Sequence, residues 1–80
     1  MKVRVDVMLK EGVLDPQGKA IGHTLGNLGF PGVGEVRVGR TIELELNSAK
    51  TEAEATAKAK EMAEKLLANL VIEDYRVTVL

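Results

Sequence analysis

Val3, Val5, Val7 and Leu9 alternate with Lys2, Arg4, Asp6 and Lys10, and only Met8 blurs the polar side. A period of two predicts a strand with one buried face. Gly12 ends it, and Asp15-Pro16 marks a helix start. There the carboxylate can cap free N–H groups, and proline suits the first helical position. Ala20, Ile21, Thr24, Leu25 and Leu28 fall on one helical stripe, with Gly29 placed as its C-cap and Phe30-Pro31-Gly32 as a turn. Val36, Val38, Ile42, Leu44 and Leu46 then share one parity, opposed by Glu35, Arg37, Glu43 and Glu45. Two readings stay open for residues 35–47: one long bent strand, which the unbroken parity favours, or a hairpin at Gly39-Arg40.

Thr51-Glu52-Ala53-Glu54 is a capping box, in which hydroxyl and carboxylate satisfy backbone donors reciprocally. Behind it Ala55, Ala59, Met62, Ala63, Leu66, Leu67 and Leu70 lie in one apolar arc, and Glu54–Lys58 and Glu61–Lys65 are spaced four apart for pairing. Tyr75, Val77 and Val79 alternate with Asp74, Arg76 and Thr78 in a last strand. The order β-α-β-α-β predicts a single α+β domain over residues 1–80. Its form is a two-layer sandwich with two helices on one face of a small sheet.

Eighty residues without a cysteine bury a marginal core, with no disulfide or thiolate metal site to reinforce it. Another copy of the chain is the remaining common source of stability. A narrow sheet also leaves edges that proteins cover, charge or pair. Together these predict a homodimer, with a tetramer as the larger option, dimerising through the sheet. A net charge of -1 and a pI of about 5.8 give no basic footprint for nucleic acid, and only Phe30 and Tyr75 could stack on a base. Residues 1–15 contain no apolar signal-peptide core, and no run is long enough to cross a bilayer, so a cytoplasmic chain without a membrane partner is expected.

Candidate chemistry is sparse. Ser48, the only serine, reads as a cap or turn residue ahead of the second helix. His23 sits with Lys19 and Asn27 on the polar side of the first helix, with no carboxylate at helical spacing to orient it as a base. Glu43 and Glu45 share a strand face, which reads as a wet surface because nothing nearby completes a ligand set. Gly32-Val33-Gly34 lacks the third glycine of a dinucleotide fingerprint and opens a strand where that motif needs a helix. The first helix does carry Gly18, Gly22, Gly26 and Gly29 on one flank, each interior glycine costing about 0.5–1 kcal/mol relative to alanine. Such a strip admits a second backbone. Either it packs on Ala53 and Ala57 of the second helix, or it receives a neighbouring subunit.

Several blocks in order resemble the PurS family: Lys10-Glu11-Gly12-Val13-Leu14-Asp15-Pro16-Gln17-Gly18, Leu28-Gly29-Phe30, Val36-Arg37-Val38-Gly39-Arg40, Leu66-Leu67-Ala68-Asn69 and Val71-Ile72-Glu73-Asp74-Tyr75. The resemblance spans essentially the whole chain, with two departures. Leu70 stands where the family usually has proline, and Arg40 where it often has lysine. It implies a non-catalytic subunit of phosphoribosylformylglycinamidine (FGAM) synthase in purine biosynthesis. Such a subunit bridges a glutaminase subunit and a large synthase subunit and supports ammonia transfer between them. It implies no cofactor on this chain, ATP and magnesium being used by the synthase partner. Candidate partner contacts are Gly12, Asp15, Gln17, Gly22, Gly26, Arg37, Arg40, Asn69, Asp74 and Tyr75. A rival reading is a small dimeric module that senses a free amino acid, and a more distant one a small enzyme using a strand carboxylate.

Overall fold

The structure, a computed structural model, describes all 80 residues. Its elements are β1 (Lys2–Leu9), α1 (Pro16–Asn27), β2 (Gly39–Glu45), α2 (Glu52–Met62) and β3 (Glu73–Val79), and a π-helical turn, Ala63–Leu67, prolongs α2. The sheet order is β2-β1-β3, with β1 antiparallel to both neighbours. The predicted β-α-β-α-β order and α+β class hold.

Register puts two valines of β1 between apolar partners, Val3 between Leu44 and Val79 and Val5 between Ile42 and Val77, and sets Val7 between Arg40 and Tyr75. This face meets the helix layer. Val3, Val5 and Val7 are essentially inaccessible, as are Ala55, Ala59 and Ala63 opposite them. Alanines every four residues let α2 settle close to the valine rows, a small-against-branched packing that fills the core without aromatic residues. The other face of the sheet carries charge. Lys2 pairs with Glu43 at 3.4 Å, Arg4 with Asp6 at 3.3 Å, and Thr41 donates to Asp6 at 2.8 Å.

Residues 35–47 form neither a hairpin nor one long strand. Ladder pairing begins at Gly39, while residues 34–38 run along α1 outside the sheet. The common parity survives, since Val36, Val38, Ile42, Leu44 and Leu46 are each less exposed than their neighbours.

The two helices are placed differently from the two-helix layer expected. α2 lies over β1 and β3, whereas neither the core nor its partly buried rim contains any residue of α1. Topology supplies the reason. α2 links β2 to β3, which flank β1, so it must cross the sheet. α1 links the adjacent antiparallel pair β1 and β2 and is under no such constraint. It leaves the sheet end as an arm, and the molecule measures 49 × 25 × 14 Å.

Candidate partner-binding surface

Asp15 anchors the base of the arm. One carboxylate oxygen accepts the Gly18 N–H at 2.8 Å, the N-cap bond that the sequence predicts. The other accepts the Val38 N–H at 2.9 Å, tying the chain leaving β1 to the chain entering β2. Those two amides, Val38 foremost, hold the Asp15 carboxyl below its ordinary value, and the Arg37 guanidinium adds to the effect. Arg37 itself donates to the Leu9 carbonyl. Gly18 is the one buried residue of α1, and a Cβ there would collide with the Val36 carbonyl oxygen. At Gly22 a Cβ would touch Val36 Cγ2 at 3.4 Å, while Gly26 and Gly29 face open space. Gly18 and Gly22 therefore pack on Val36 of their own chain, not on α2, and the rest of the strip stays open. Gly29, at φ +91°, closes α1 with a Schellman pattern in which Phe30 N–H donates to Leu25 at 3.1 Å and Gly29 N–H to Gly26 at 3.1 Å.

A second polar centre closes the far end of the helix layer. Arg40 shares the register row of Val7 and so lies on the helix face. It grips Glu73 through both guanidinium nitrogens, at 2.9 and 3.1 Å, and donates to the Leu67 carbonyl at 2.6 Å. Glu73 also accepts the Asn69 N–H at 2.7 Å. That amide first, and Arg40 second, hold its carboxyl below the ordinary value. The Asn69 side chain accepts the Val71 N–H at 3.1 Å, shaping the turn before β3. Tyr75 donates its hydroxyl to Glu64 at 2.7 Å, which raises the phenol's pKa. Arg40 and Asn69 thus meet at Glu73, while Tyr75 bonds separately to Glu64.

The remaining candidates are more dispersed. Gly12, Gln17 and Gly26 are exposed along the arm. Asp74 is exposed on the open sheet face, 3.9 Å from Lys10. Gly12, Asp15 and Gly22 line a cleft of about 440 Å³ between α1 and residues 34–36, with Lys19, His23 and Glu35 also on its walls. Ser48 occupies a turn and accepts from Lys58 at 3.0 Å. The predicted Glu54–Lys58 pair does not form, because Glu54 turns back to accept the Lys50 N–H at 3.3 Å. Glu61–Lys65 does form, at 2.8 Å. No group of three or more His, Asp or Glu residues could hold a metal ion.

An apolar surface escaped the sequence reading. Leu66 and Leu70, placed above in the apolar arc of α2, are exposed, and Leu66 and Val71 are 82% and 83% accessible. The cause is the π-helical turn: Ala68 N–H donates to Ala63 at 2.9 Å, five residues back. The wider turn shifts the buried row from Ala63 to Ala68 and turns Leu66 outward. The stripe of α1 is also uncovered, with Ile21 and Leu28 exposed. Glu73 lies inside the candidate segment Asn69–Tyr75, and its parity with Tyr75, Val77 and Val79 places it on the helix face.

Polar side chains that stitch the chain to itself, and apolar ones left facing outward, define a small α+β subunit built for association. The family model for PurS, phosphoribosylformylglycinamidine (FGAM) synthase, matches residues 2–80, and the chain belongs to the PurS family. It is 50% identical over 78 residues to the phosphoribosylformylglycinamidine synthase subunit PurS of Bacillus subtilis, covering 98% of this chain and 90% of that one. The solved structure of B. subtilis PurS superposes with a TM-score of 0.82 at 49% identity, over 96% of this chain and 94% of that one. A chain in the structure of PurLQS from Thermotoga maritima gives a TM-score of 0.88 at 36% identity, over 99% and 95%.

Proposed function

We propose that this chain is the PurS subunit of a cytoplasmic FGAM synthase complex. As a homodimer it bridges the synthase and glutaminase subunits and supports passage of ammonia from one to the other. ATP and magnesium belong to the synthase partner, where formylglycinamide ribonucleotide is activated and aminated. The observation carrying this reading is the family match over residues 2–80 together with near-complete overlap with a chain of the T. maritima PurLQS structure.

The surfaces support a bridging role. Asp15, Gly22, Arg37, Arg40, Asn69 and Tyr75 have contacts within their own chain, so their effect on partners is to fix the arm and the turn before β3. Gly12, Gln17, Gly26 and Asp74 remain open for direct contact. The apolar group Leu66, Leu70 and Val71 is the surface best suited to a large subunit, since exposed apolar patches mark association sites.

Reconstitution with the cognate synthase and glutaminase subunits tests this reading. Omitting the chain should abolish glutamine-dependent synthesis while sparing much of the synthesis supported by free ammonia. Unchanged rates with no complex on gel filtration would remove the proposal.

A further inference from the structure

The π-helical turn at the end of α2 is one of two ways to thread the same residues. Buried alanines step by four, Ala55, Ala59 and Ala63, and then by five to Ala68. Had the helix kept its ordinary pitch, the row would have continued at Leu67. At about 100° per residue, Leu66 and Leu67 would then lie where Leu67 and Ala68 lie now, and Ala68 would turn outward. Nothing in the segment forbids that pitch, since residues 64–72 contain neither glycine nor proline. The ordinary register would also take Leu66, 82% exposed in the structure, out of water.

The structure nevertheless holds the wider register, and contacts from outside the helix account for it. Arg40 donates to the Leu67 carbonyl at 2.6 Å, and Glu73 accepts the Asn69 N–H at 2.7 Å. Arg40 and Glu73 are fastened to each other at 2.9 and 3.1 Å. A one-residue slip would carry Leu67 and Asn69 round the helix and break both backbone contacts. Latch and apolar row therefore pull in opposite directions: the first favours Leu66 outward, the second Leu66 inward. Single π-helical turns of this kind occur frequently at functional sites.

We propose that residues 63–72 are a two-register device, with Arg40 and Glu73 as its latch. In the latched register the turn is π-helical, and Leu66 stands outward with Leu70 and Val71. In the released register the helix keeps α pitch, Leu66 and Leu67 cover the core, and Ala68 leaves it for the turn before β3. The device decides whether the apolar surface is on offer to the large subunit, a consequence that rests on the bridging role proposed above. A subunit that covers Leu66 and binds only the latched register draws the chain into it.

The absence of cysteine lets one thiol report each position. Leu66→Cys and Ala68→Cys are made singly, and the rate of maleimide labelling is measured on the isolated protein. With the latch intact, the thiol at position 66 should react fast and the thiol at position 68 slowly. Adding Arg40→Ala and Glu73→Ala should speed position 68 about tenfold and slow position 66 about twofold, as a rise of the released register from about one-twentieth to about one-half requires. The opposite signs separate a slip from loosening, which would speed both. Speeding at both positions, or no change at either, overturns the proposal, and so does a latched chain whose position 66 reacts no faster than position 68.

Deleting Lys65 removes the extra residue, so that Ala68 follows Ala63 by four and stays buried at α pitch. In that background position 68 should remain slow with the latch gone. Equal speeding there would trace the effect to lost packing and overturn the slip. The link to assembly is read separately, in the reconstituted complex and without the cysteines. The chain lacking its latch should be needed at about twice the concentration for half-maximal glutamine-dependent synthesis, and the Lys65 deletion should restore the original requirement. An unchanged requirement overturns the link to the large subunit and leaves the two registers standing. A complex that never forms, even with the parent chain, would instead remove the bridging role.

Discussion

Asp15 joins two segments 23 residues apart in sequence with a single carboxylate, and its pKa records the arrangement. Val38 and Gly18 N–H groups favour the charged form, so the folded value lies below the ordinary 3.8. A depressed carboxylate contributes stability above its unfolded pKa, lost as pH falls through the lower folded one. Asp15→Asn should therefore lower the urea midpoint at pH 6–7, and its gap from the parent should close as pH drops below 3.8. A gap independent of pH would place the effect outside the carboxylate's charge. The glycines of α1 offer a second test within one helix. Gly18→Ala forces a methyl into the Val36 carbonyl and should cost about 1–3 kcal/mol as overpacking. Gly26→Ala meets nothing within 4 Å and should stabilise by about 0.5–1 kcal/mol. Thermal melts of the two variants should move in opposite directions.

At the scale of elements, α2 depends on what receives its end. The π-helical turn finishes at Leu67, whose carbonyl is taken by Arg40, and Arg40 is held by Glu73 at the start of β3. The guanidinium thus fastens strand, helix end and turn together, and lysine could not reproduce its fork. A double-mutant cycle on Arg40→Ala and Glu73→Ala should return a coupling of about 1 kcal/mol, modest because the Arg40 side chain is 52% exposed. Arg40→Lys should retain under half of it. Alternation and capping made the strands and α2 legible, because period and cap chemistry are local properties. The π-helical turn was not legible, since one extra residue in a turn leaves the apolar spacing of Met62, Leu66 and Leu70 looking like an ordinary arc. The position of α1 was hidden for another reason. An amphipathic stripe states that a face must be covered, and says nothing of which chain covers it.

That question is decided by the whole molecule. Its largest fully buried side chains are three valines, too little apolar volume for a chain that also holds an arm away from its core. If the arm docks on a second copy, folding and association become one equilibrium, and stability depends on protein concentration. Each tenfold increase then adds about 1.4 kcal/mol, which for a dimer of this size raises the melting midpoint by about 3–6 °C. A dilution series across three decades of concentration, followed by circular dichroism, checks this without any variant. A midpoint that stays fixed would mean that the chain folds alone, with its α1 stripe left for the synthase or the glutaminase. A rising midpoint that flattens in an Ile21→Lys, Leu28→Lys variant would locate the linkage in the arm. The same dependence bears on assembly, because only the paired chains would present two copies of the Leu66–Val71 surface to their partners.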